Sequence, residues 1–288
     1  MKRSLWWVMV CCLLAFGLRV SGAADYPLDA LHDDHKDYHT MAANLISGAG
    51  YVQVDGFAYG RQPGWPFLLA GAYAIGGVNT AVGIVLNAML AALTVAVTYR
   101  VGRIIGDQTR RRGVGEVAAL LVAVDPFLIV LDQTLLSETL YTLGMMAALW
   151  ALLRQRSATF GVLVALMALV RANGIVLLVA ALLFPRRMWW RAGLAALLVL
   201  IPWGIRNAFV IGSPSPLAPQ TGQLLLGSYN DFTLNSPEAY GMWLFPVEIP
   251  EGEPYADLPY LEREQAWASE ARTFIANHIA DVPVMMFR

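Results

Sequence analysis

Five charged side chains stand out against a chain that is 57% hydrophobic: two carboxylates and three arginines. They are Asp34, Glu138, Arg61, Arg171 and Arg206. A carboxylate can take a proton from a hydroxyl or an amine and so act as a general base. Arginine binds phosphate through a rigid fork of N–H donors. Together these residue types predict a phosphate-bearing substrate and a nucleophile that must lose a proton.

The position of one of these carboxylates in the sequence is itself informative. Glu138 is the only acid between Asp132 and Asp231, in a stretch rich in leucine and alanine. A lone carboxylate at a membrane boundary is usually a counter-ion or a functional group. A phosphate held at the edge of a helical bundle suggests a lipid phosphate, whose chain lies in the bilayer and whose headgroup lies outside.

The elements that position these groups are predicted to be membrane helices. The chain has 288 residues, only 14% of them charged, and a mean hydropathy of +0.53. A soluble domain has about 25% charged residues. The composition therefore excludes a disordered chain and a basic nucleic-acid binder, and it argues against a soluble enzyme. The adjacent Cys11 and Cys12 indicate neither a disulfide framework nor a metal site.

The apolar runs predict an all-α integral membrane protein with about seven transmembrane helices. The first run, 5–18, follows a basic start and also has features of a cleavable signal peptide. We favour its retention, because Trp6 and Trp7 suit an interfacial anchor. The later runs are 80–99, 114–131, 140–153, 160–170, 175–184 and 192–211.

The distribution of basic residues predicts the orientation, since they accumulate on the cytoplasmic side. With the N-terminus inside, twelve of the 20 basic residues face the cytoplasm. This arrangement requires runs 160–170 and 175–184 to be two short crossings that meet at Arg171 near the outer face. Joining them into one span would bury Arg171 at mid-membrane, at a cost of about 2.5 kcal/mol or more.

The segments predicted to lie outside are acidic. Residues 21–79 contain six acids and two bases, and residues 212–288 contain ten acids and three bases. We therefore divide the chain into a membrane module, 1–211, with its first outer loop at 21–79, and a loop-rich extracytoplasmic tail, 212–288. In the tail, 258–278 is the one well-patterned helical stretch.

The first outer loop contains two predicted interfacial helices, 34–47 and 63–75. In the first, His35 and His39 stand at i and i+4, a spacing that lets two imidazoles share a metal ion. Surface histidine pairs are common and specify little, so we predict no metal and no other cofactor.

Five short stretches occur in a characteristic order: Asp34-His35-Lys36-Asp37-Tyr38, Tyr59 to Pro66, Pro126 to Glu138, Leu169-Val170-Arg171 and Pro202 to Asn207. In this order they resemble the GT-C glycosyltransferases. The most similar group is the bacterial protein-mannosyltransferase-like enzymes related to the lipid A aminoarabinose transferase. The resemblance extends over most of 5–230.

The resemblance implies sugar transfer from a polyprenyl-phosphate donor to an acceptor on the extracytoplasmic face of the bacterial inner membrane. Asp34 matches the catalytic base of the family, and Glu138 lies where the family has a second acid. Arg61 matches the residue that contacts the donor phosphate. The other residues that it implies bind substrate are Tyr38, Tyr59, Arg171, Arg206 and Asn207.

Structural alternatives exist for both carboxylates. Asp34 is a good residue type for a helix N-cap, and Asp33 or Asp37 takes its catalytic role if the register shifts. Glu138 could instead pair with Arg171 and stabilise the bundle without any substrate. We favour function for Asp34 because its position matches the family motif.

Alternatives also exist for the arginines and for the whole protein. Arg61 could be an interfacial arginine reaching water, and Arg206 an ordinary charge at the end of a span. The protein could be a non-catalytic lipid-phosphate-binding subunit or a transporter fragment, although a transporter should contain repeats and none is seen. Members of the family are usually longer, so we expect either a fragment or a short relative.

Overall fold

A computed structural model describes residues 2–24, 31, 33–53 and 60–286. Every regular element within these residues is helical, which confirms the all-α class. The chain divides into two compact units, Met1–Leu217 and Ala218–Arg288.

The helices of the first unit follow the predicted apolar runs, with a few extensions. They are α1 (Lys2–Val20), α2 (Asp33–Ser47), α3 (Gly64–Gly76), α4 (Thr80–Thr109), α5 (Val114–Val124), α6 (Pro126–Asp132), α7 (Glu138–Leu153), α8 (Ser157–Ala168), a 3-10 segment (Ala172–Leu183) and α9 (Arg186–Ile211). Helices α4 and α9 include arginines that flank their apolar runs, because backbone hydrogen bonding continues through these residues.

Two of the described helices, α4 and α9, are long and apolar enough to cross a membrane. The pair α5 and α6 is a third candidate, with a 54° bend between its halves. The other apolar helices in the described ranges, with α1 counted over its part Leu5–Val20, have 10–17 residues, fewer than the roughly 20 that span a bilayer. These lengths are compatible with a membrane protein, and the seven-crossing topology stays a prediction.

The single helix expected over 114–131 is instead two helices that meet at Asp125. Pro126 disfavours helical backbone in the residue before it, and Asp125 is extended, with φ −61° and ψ 116°. The Asp125 side chain accepts a hydrogen bond from the Leu128 N–H at 3.0 Å and so caps α6. Hydropathy alone does not reveal this break.

Small residues allow the helices of the first unit to pack closely. A methyl group added to Gly102 in α4 would lie 2.7 Å from the Cα of Gly115 in α5. One added to Gly161 in α8 would overlap the carbonyl group of Ala192 in α9. Such close approach of backbones at small residues is typical of packing between membrane helices.

A buried ion pair joins α1 to α6. Arg19 and Asp132 have side-chain exposures of only 1% and 6%, and the Nε and Oδ2 atoms are 2.5 Å apart. The Arg19 guanidinium also donates to backbone carbonyls in α1 and α5. Thr139 of α7 donates to the other Asp132 oxygen at 2.5 Å. Asp132 is therefore part of the interior of the bundle.

The second unit is organised around α12 (Tyr260–Asn277), which lies within the predicted helix 258–278. Glu264 of α12 accepts hydrogen bonds at Oε2 from the N–H groups of Gly222 and Gln223, at 2.8 and 3.2 Å. Burial raises the pKa of Glu264, and these hydrogen bonds oppose the rise. The other elements are α10 (Thr221–Ser228), α11 (Asp231–Asn235), α13 (Val282–Met286) and 3-10 turns at Pro246–Glu248 and Glu253–Tyr255.

Candidate functional site

Arg61, in the segment that leads into α3, contacts two carboxylates of α2. Its Nη2 atom lies 2.5 Å from Asp34 Oδ1 and 2.9 Å from Asp37 Oδ2. The Arg61 Nε–H also donates to Asp37 Oδ2, at 3.0 Å. The side chain of Asp34 is 40% exposed, whereas that of Asp37 is 18% exposed. Asp34 is thus the carboxylate that faces solvent, and Asp37 is the one that fixes the guanidinium.

The charge of Arg61 is stabilised by these neighbours. Burial alone would lower the pKa of the guanidinium, but the charges of Asp34 and Asp37 and the hydrogen bond to Asp37 raise it above its ordinary value. Arg61 is therefore a permanent cation in a half-buried position. Such a cation suits a ligand that carries phosphate.

Two side chains hold the backbone on either side of Arg61. Gln53 donates from Nε2 to Asp37 Oδ2 at 3.0 Å and accepts at Oε1 from the Gly60 N–H at 2.8 Å. The Tyr51 hydroxyl donates to the carbonyl oxygen of Arg61 at 2.8 Å. The position of the guanidinium is thus set by the loop as well as by its ion pairs.

Tyr38 links this group to a second charged pair. It is buried, and the Arg61 guanidinium carbon lies 5.8 Å from the centre of its ring. Burial raises the pKa of its hydroxyl, which lies 3.4 Å from Ser137 Oγ. Ser137 in turn accepts a hydrogen bond from Arg171 Nη1 at 3.4 Å. Ser137, which precedes α7, is therefore shared by the two halves of the cluster.

The second charged pair is Arg171 and Glu138. Arg171 Nη1 lies 2.6 Å from Glu138 Oε1, and both side chains are about one-third exposed. Glu138 is the first residue of α7, and Arg171 lies in extended backbone between α8 and the 3-10 segment. The other Glu138 oxygen, Oε2, is buried and has no hydrogen-bond partner in the described part of the chain. That oxygen can still accept a hydrogen bond or a proton from a ligand.

An aromatic group lies on the other side of Arg61. Tyr51 makes edge contact with Trp203 at 5.2 Å and stacks on Phe67 at 5.7 Å. The Arg206 guanidinium lies 4.8 Å from the Trp203 ring and 5.4 Å from that of Tyr51. Arg206 also donates to Asn207 Oδ1, at 3.0 Å.

Most of the predicted site residues thus belong to one continuous set of contacts, although they come from distant parts of the sequence. The set defines the site cluster: Asp34, Asp37, Tyr38, Tyr51, Arg61, Ser137, Glu138, Arg171, Trp203 and Arg206. Asn207 is at its edge and is buried, donating to the carbonyl of Ser215 at 2.7 Å. Tyr59 lies outside the described residues.

Two of the structural alternatives can be compared with these contacts. Helix α2 begins at Asp33, so Asp34 lies within its first turn, where a carboxylate is favoured by the helix dipole. The ion pair between Glu138 and Arg171, proposed as a purely structural contact, is present. Asp34 is therefore inside the helix and is not its N-cap, and the Glu138–Arg171 pair forms without a ligand.

Sequence reasoning missed two polar members of this arrangement, Gln53 and Ser137. Ser137 had a weak signal, because it directly precedes the lone acid Glu138. Gln53 had none: it reaches Asp37 across 16 residues through a loop whose path the sequence does not reveal.

The predicted absence of a metal site concerned His35 and His39. The His39 ring nitrogen Nδ1 lies 2.8 Å from the Tyr73 hydroxyl, so this histidine takes part in packing between α2 and α3. Among the residues that the structure describes, no three His, Cys, Asp or Glu side chains are grouped as metal ligands.

No protein-family model, curated protein or solved structure matches this chain.

Proposed function

We propose that the protein is a membrane glycosyltransferase that uses a polyprenyl-phosphate-linked sugar and acts on the extracytoplasmic face. The observation that carries the proposal is the single cluster formed by Asp34, Arg61, Glu138 and Arg171. It combines fixed cations, which suit a phosphate, with the carboxylate of Asp34, which is 40% exposed and can be reached by a nucleophile. The resemblance to GT-C enzymes supports the same activity.

In the proposed reaction the nucleophilic atom of the acceptor attacks the anomeric carbon of the sugar. The bond from that carbon to the phosphate oxygen breaks, and the lipid phosphate leaves with the electron pair. The proton of the acceptor passes to the carboxylate of Asp34. Arg61 and Arg171 lower the barrier by stabilising the charge on the departing phosphate. The leaving group needs no proton, so one base is sufficient.

The orientation of the protein in the membrane is part of the proposal. Glu138 begins α7 and Arg206 lies near the end of α9, whereas the arginines at 154–156 and 186–191 lie at the opposite ends of these helices. Because basic residues accumulate on the cytoplasmic side, this asymmetry supports a cluster that faces outward. The same asymmetry supports the seven-crossing arrangement with the N-terminus inside.

The test is the consumption of radiolabelled polyprenyl-phosphate mannose by the full chain in bilayer nanodiscs, with a membrane extract as the source of acceptor. Asp34→Asn should lower turnover by about 100-fold or more, because a general base contributes at least this factor. Asp37→Asn should mainly raise the KM for the donor, because Asp37 holds Arg61.

The matched control is Lys36→Gln, which changes a charge on the same helix outside the cluster and should leave turnover unchanged. Turnover by Asp34→Asn equal to that of the unmodified chain would overturn the role of Asp34. Donor binding without any consumption would favour the second candidate, a non-catalytic lipid-phosphate-binding subunit. The ion pairs in the cluster are compatible with that candidate, because they leave it stable without a substrate.

A further inference from the structure

A second charged site lies at the opposite end of α4. A cavity of about 600 Å³ opens between the end of α4, the turn at 110–113 and the start of α5. Four arginines and two carboxylates line it, so its charge is positive. These side chains are Arg103, Asp107, Arg110, Arg111, Arg112 and Glu116.

Three of the four arginines that line the cavity form no ion pair within the described residues. Arg103 pairs with Glu116 at 3.9 Å and donates to the Tyr99 hydroxyl at 3.2 Å. The three at 110–112 are exposed, and none of them forms an ion pair with any residue in the described ranges. Guanidinium groups gathered around a cavity without matching carboxylates form a site for an anion, and their forked donors suit phosphate.

The backbone brings these arginines together. Arg110 ends α4 in the left-handed conformation, with φ 57°, and its N–H bonds to the carbonyl of Gly106. Gly113, with φ 82°, then begins α5. The positive φ values of Arg110 and Gly113 reverse the chain direction, so the three consecutive arginines lie in a tight turn beside the crossing of α4 and α5.

The position of the cavity along α4 indicates which kind of phosphate can reach it. The apolar part of α4, residues 80–99, is about 30 Å long, which equals the thickness of the hydrocarbon core. The cavity begins just beyond it. The Trp7 indole N–H donates to the Glu116 carbonyl at 3.3 Å, and Tyr99 contacts Arg103. Tryptophan and tyrosine concentrate at the membrane–water interface, which is also the level of lipid phosphates.

We propose that this cavity binds the phosphate of an anionic ligand, and that the ligand is the headgroup of an acidic phospholipid. The site is independent of the proposed glycosyl transfer, because it lies at the other end of α4 from the cluster around Ser137 and Glu138. A soluble phosphate compound has the same chemistry, and the experiment below separates the two sources.

The experiment titrates the detergent-solubilised full chain with phosphatidylglycerol and follows lipid-bound species by native mass spectrometry. Replacing Arg110, Arg111 and Arg112 together with glutamine should weaken phosphatidylglycerol binding by about tenfold or more, since the cavity loses three forked donors to the headgroup phosphate. Binding of zwitterionic phosphatidylcholine should not change. All three side chains are exposed, so thermal unfolding of the variant should match that of the unmodified chain.

The matched control replaces Arg186, Arg187 and Arg191 with glutamine. These three are also exposed and begin α9, without lining this cavity. The control should bind phosphatidylglycerol like the unmodified chain. Equal losses of phosphatidylglycerol binding in both triple variants would show only a general attraction between arginine and acidic lipid. That result would overturn the proposed site.

Inorganic phosphate tests whether the ligand is a soluble phosphate compound instead of a lipid headgroup. If it raises the thermal stability of the unmodified chain but not that of the variant at 110–112, while phosphatidylglycerol binds equally to both proteins, the phosphate site is supported and the lipid assignment is overturned. If phosphate has no effect while the lipid result holds, the headgroup is supported. Absence of binding by either probe to the unmodified chain would contradict the proposal.

Discussion

Arg61 contacts two carboxylates that differ in what remains available to a ligand. Asp37 uses one oxygen to accept from both Arg61 and Gln53. Within the described part of the chain Asp34 forms an ion pair with Arg61 alone, and it is the more exposed of the two carboxylates. The difference gives Asp37 a positioning role and leaves Asp34 available to an acceptor, a distinction that the Asp-x-x-Asp spacing alone does not make.

The buried pair of Arg19 and Asp132 leads to a prediction for stability. Replacing Arg19 alone with methionine leaves Asp132 buried and unpaired, so it should lower the free energy of unfolding by about 3–5 kcal/mol. Replacing both, with Arg19→Met and Asp132→Leu, should restore most of the loss, because the removal of both charges leaves none uncompensated.

Equilibrium unfolding of the full chain in detergent measures both variants. Arg154→Gln, at an exposed position after α7, is the control for the loss of one arginine and should change little. If the double variant is as unstable as Arg19→Met, the loss comes from packing and not from the unpaired charge.

At the residue scale the sequence allowed the prediction of the site residues and of one pairing among them, Glu138 with Arg171. Asp34, Arg61, Glu138 and Arg171 stand out because charge is rare in this chain. The pairing of Arg61 with α2 was not predicted, because it depends on a loop that folds back over more than twenty residues. The burial of Asp132 was not predictable, because its partner Arg19 is 113 positions away.

At the scale of the helices, the close crossing of α4 and α5 depends on glycine residues, which have no side chain to separate the two backbones. Gly102→Ala should lower the free energy of unfolding by about 1–3 kcal/mol, because its methyl group would meet the backbone of Gly115. Gly193→Ala in α9 is the matched control, since a methyl group there meets nothing within 4 Å. That variant should be neutral or more stable by up to about 1 kcal/mol, through the better helix propensity of alanine.

Unfolding in detergent compares these two glycine variants under the same conditions. Equal stability of the Gly102 and Gly193 variants would show that α4 and α5 can move apart without a loss in the free energy of unfolding. The packing described for this crossing would then be wrong.

The positions of helices were easier to predict than their continuity. Apolar runs placed α4 and α9 well, because each of these helices contains a continuous run long and apolar enough to cross a membrane. They did not reveal the break at Asp125, where a local Asp-Pro pair overrides hydropathy. Nor did they distinguish the 3-10 segment at Ala172–Leu183 from an α-helix, since an almost uniformly apolar run does not reveal the helical period.

Over the whole first unit, charge is divided between the two ends of the helices. Uncommitted arginines gather where α4 meets α5, whereas the arginines of the site cluster are paired with carboxylates or packed on aromatic rings. Such a division is typical of a protein that is oriented by the positive-inside rule. The two proposals assign a different anion to each end, a reacting phosphate to the site cluster and a structural lipid to the cavity between α4 and α5.

The most direct test of the central claim measures binding of sugar-free polyprenyl phosphate to the full chain in bilayer nanodiscs. Arg61→Gln and Arg171→Gln should each weaken binding by about tenfold or more, because each removes a charged hydrogen bond to phosphate. The control, Arg154→Gln with Arg156→Gln, should bind like the unmodified chain. Equal affinity of all these proteins for polyprenyl phosphate would contradict a lipid-phosphate site at this cluster.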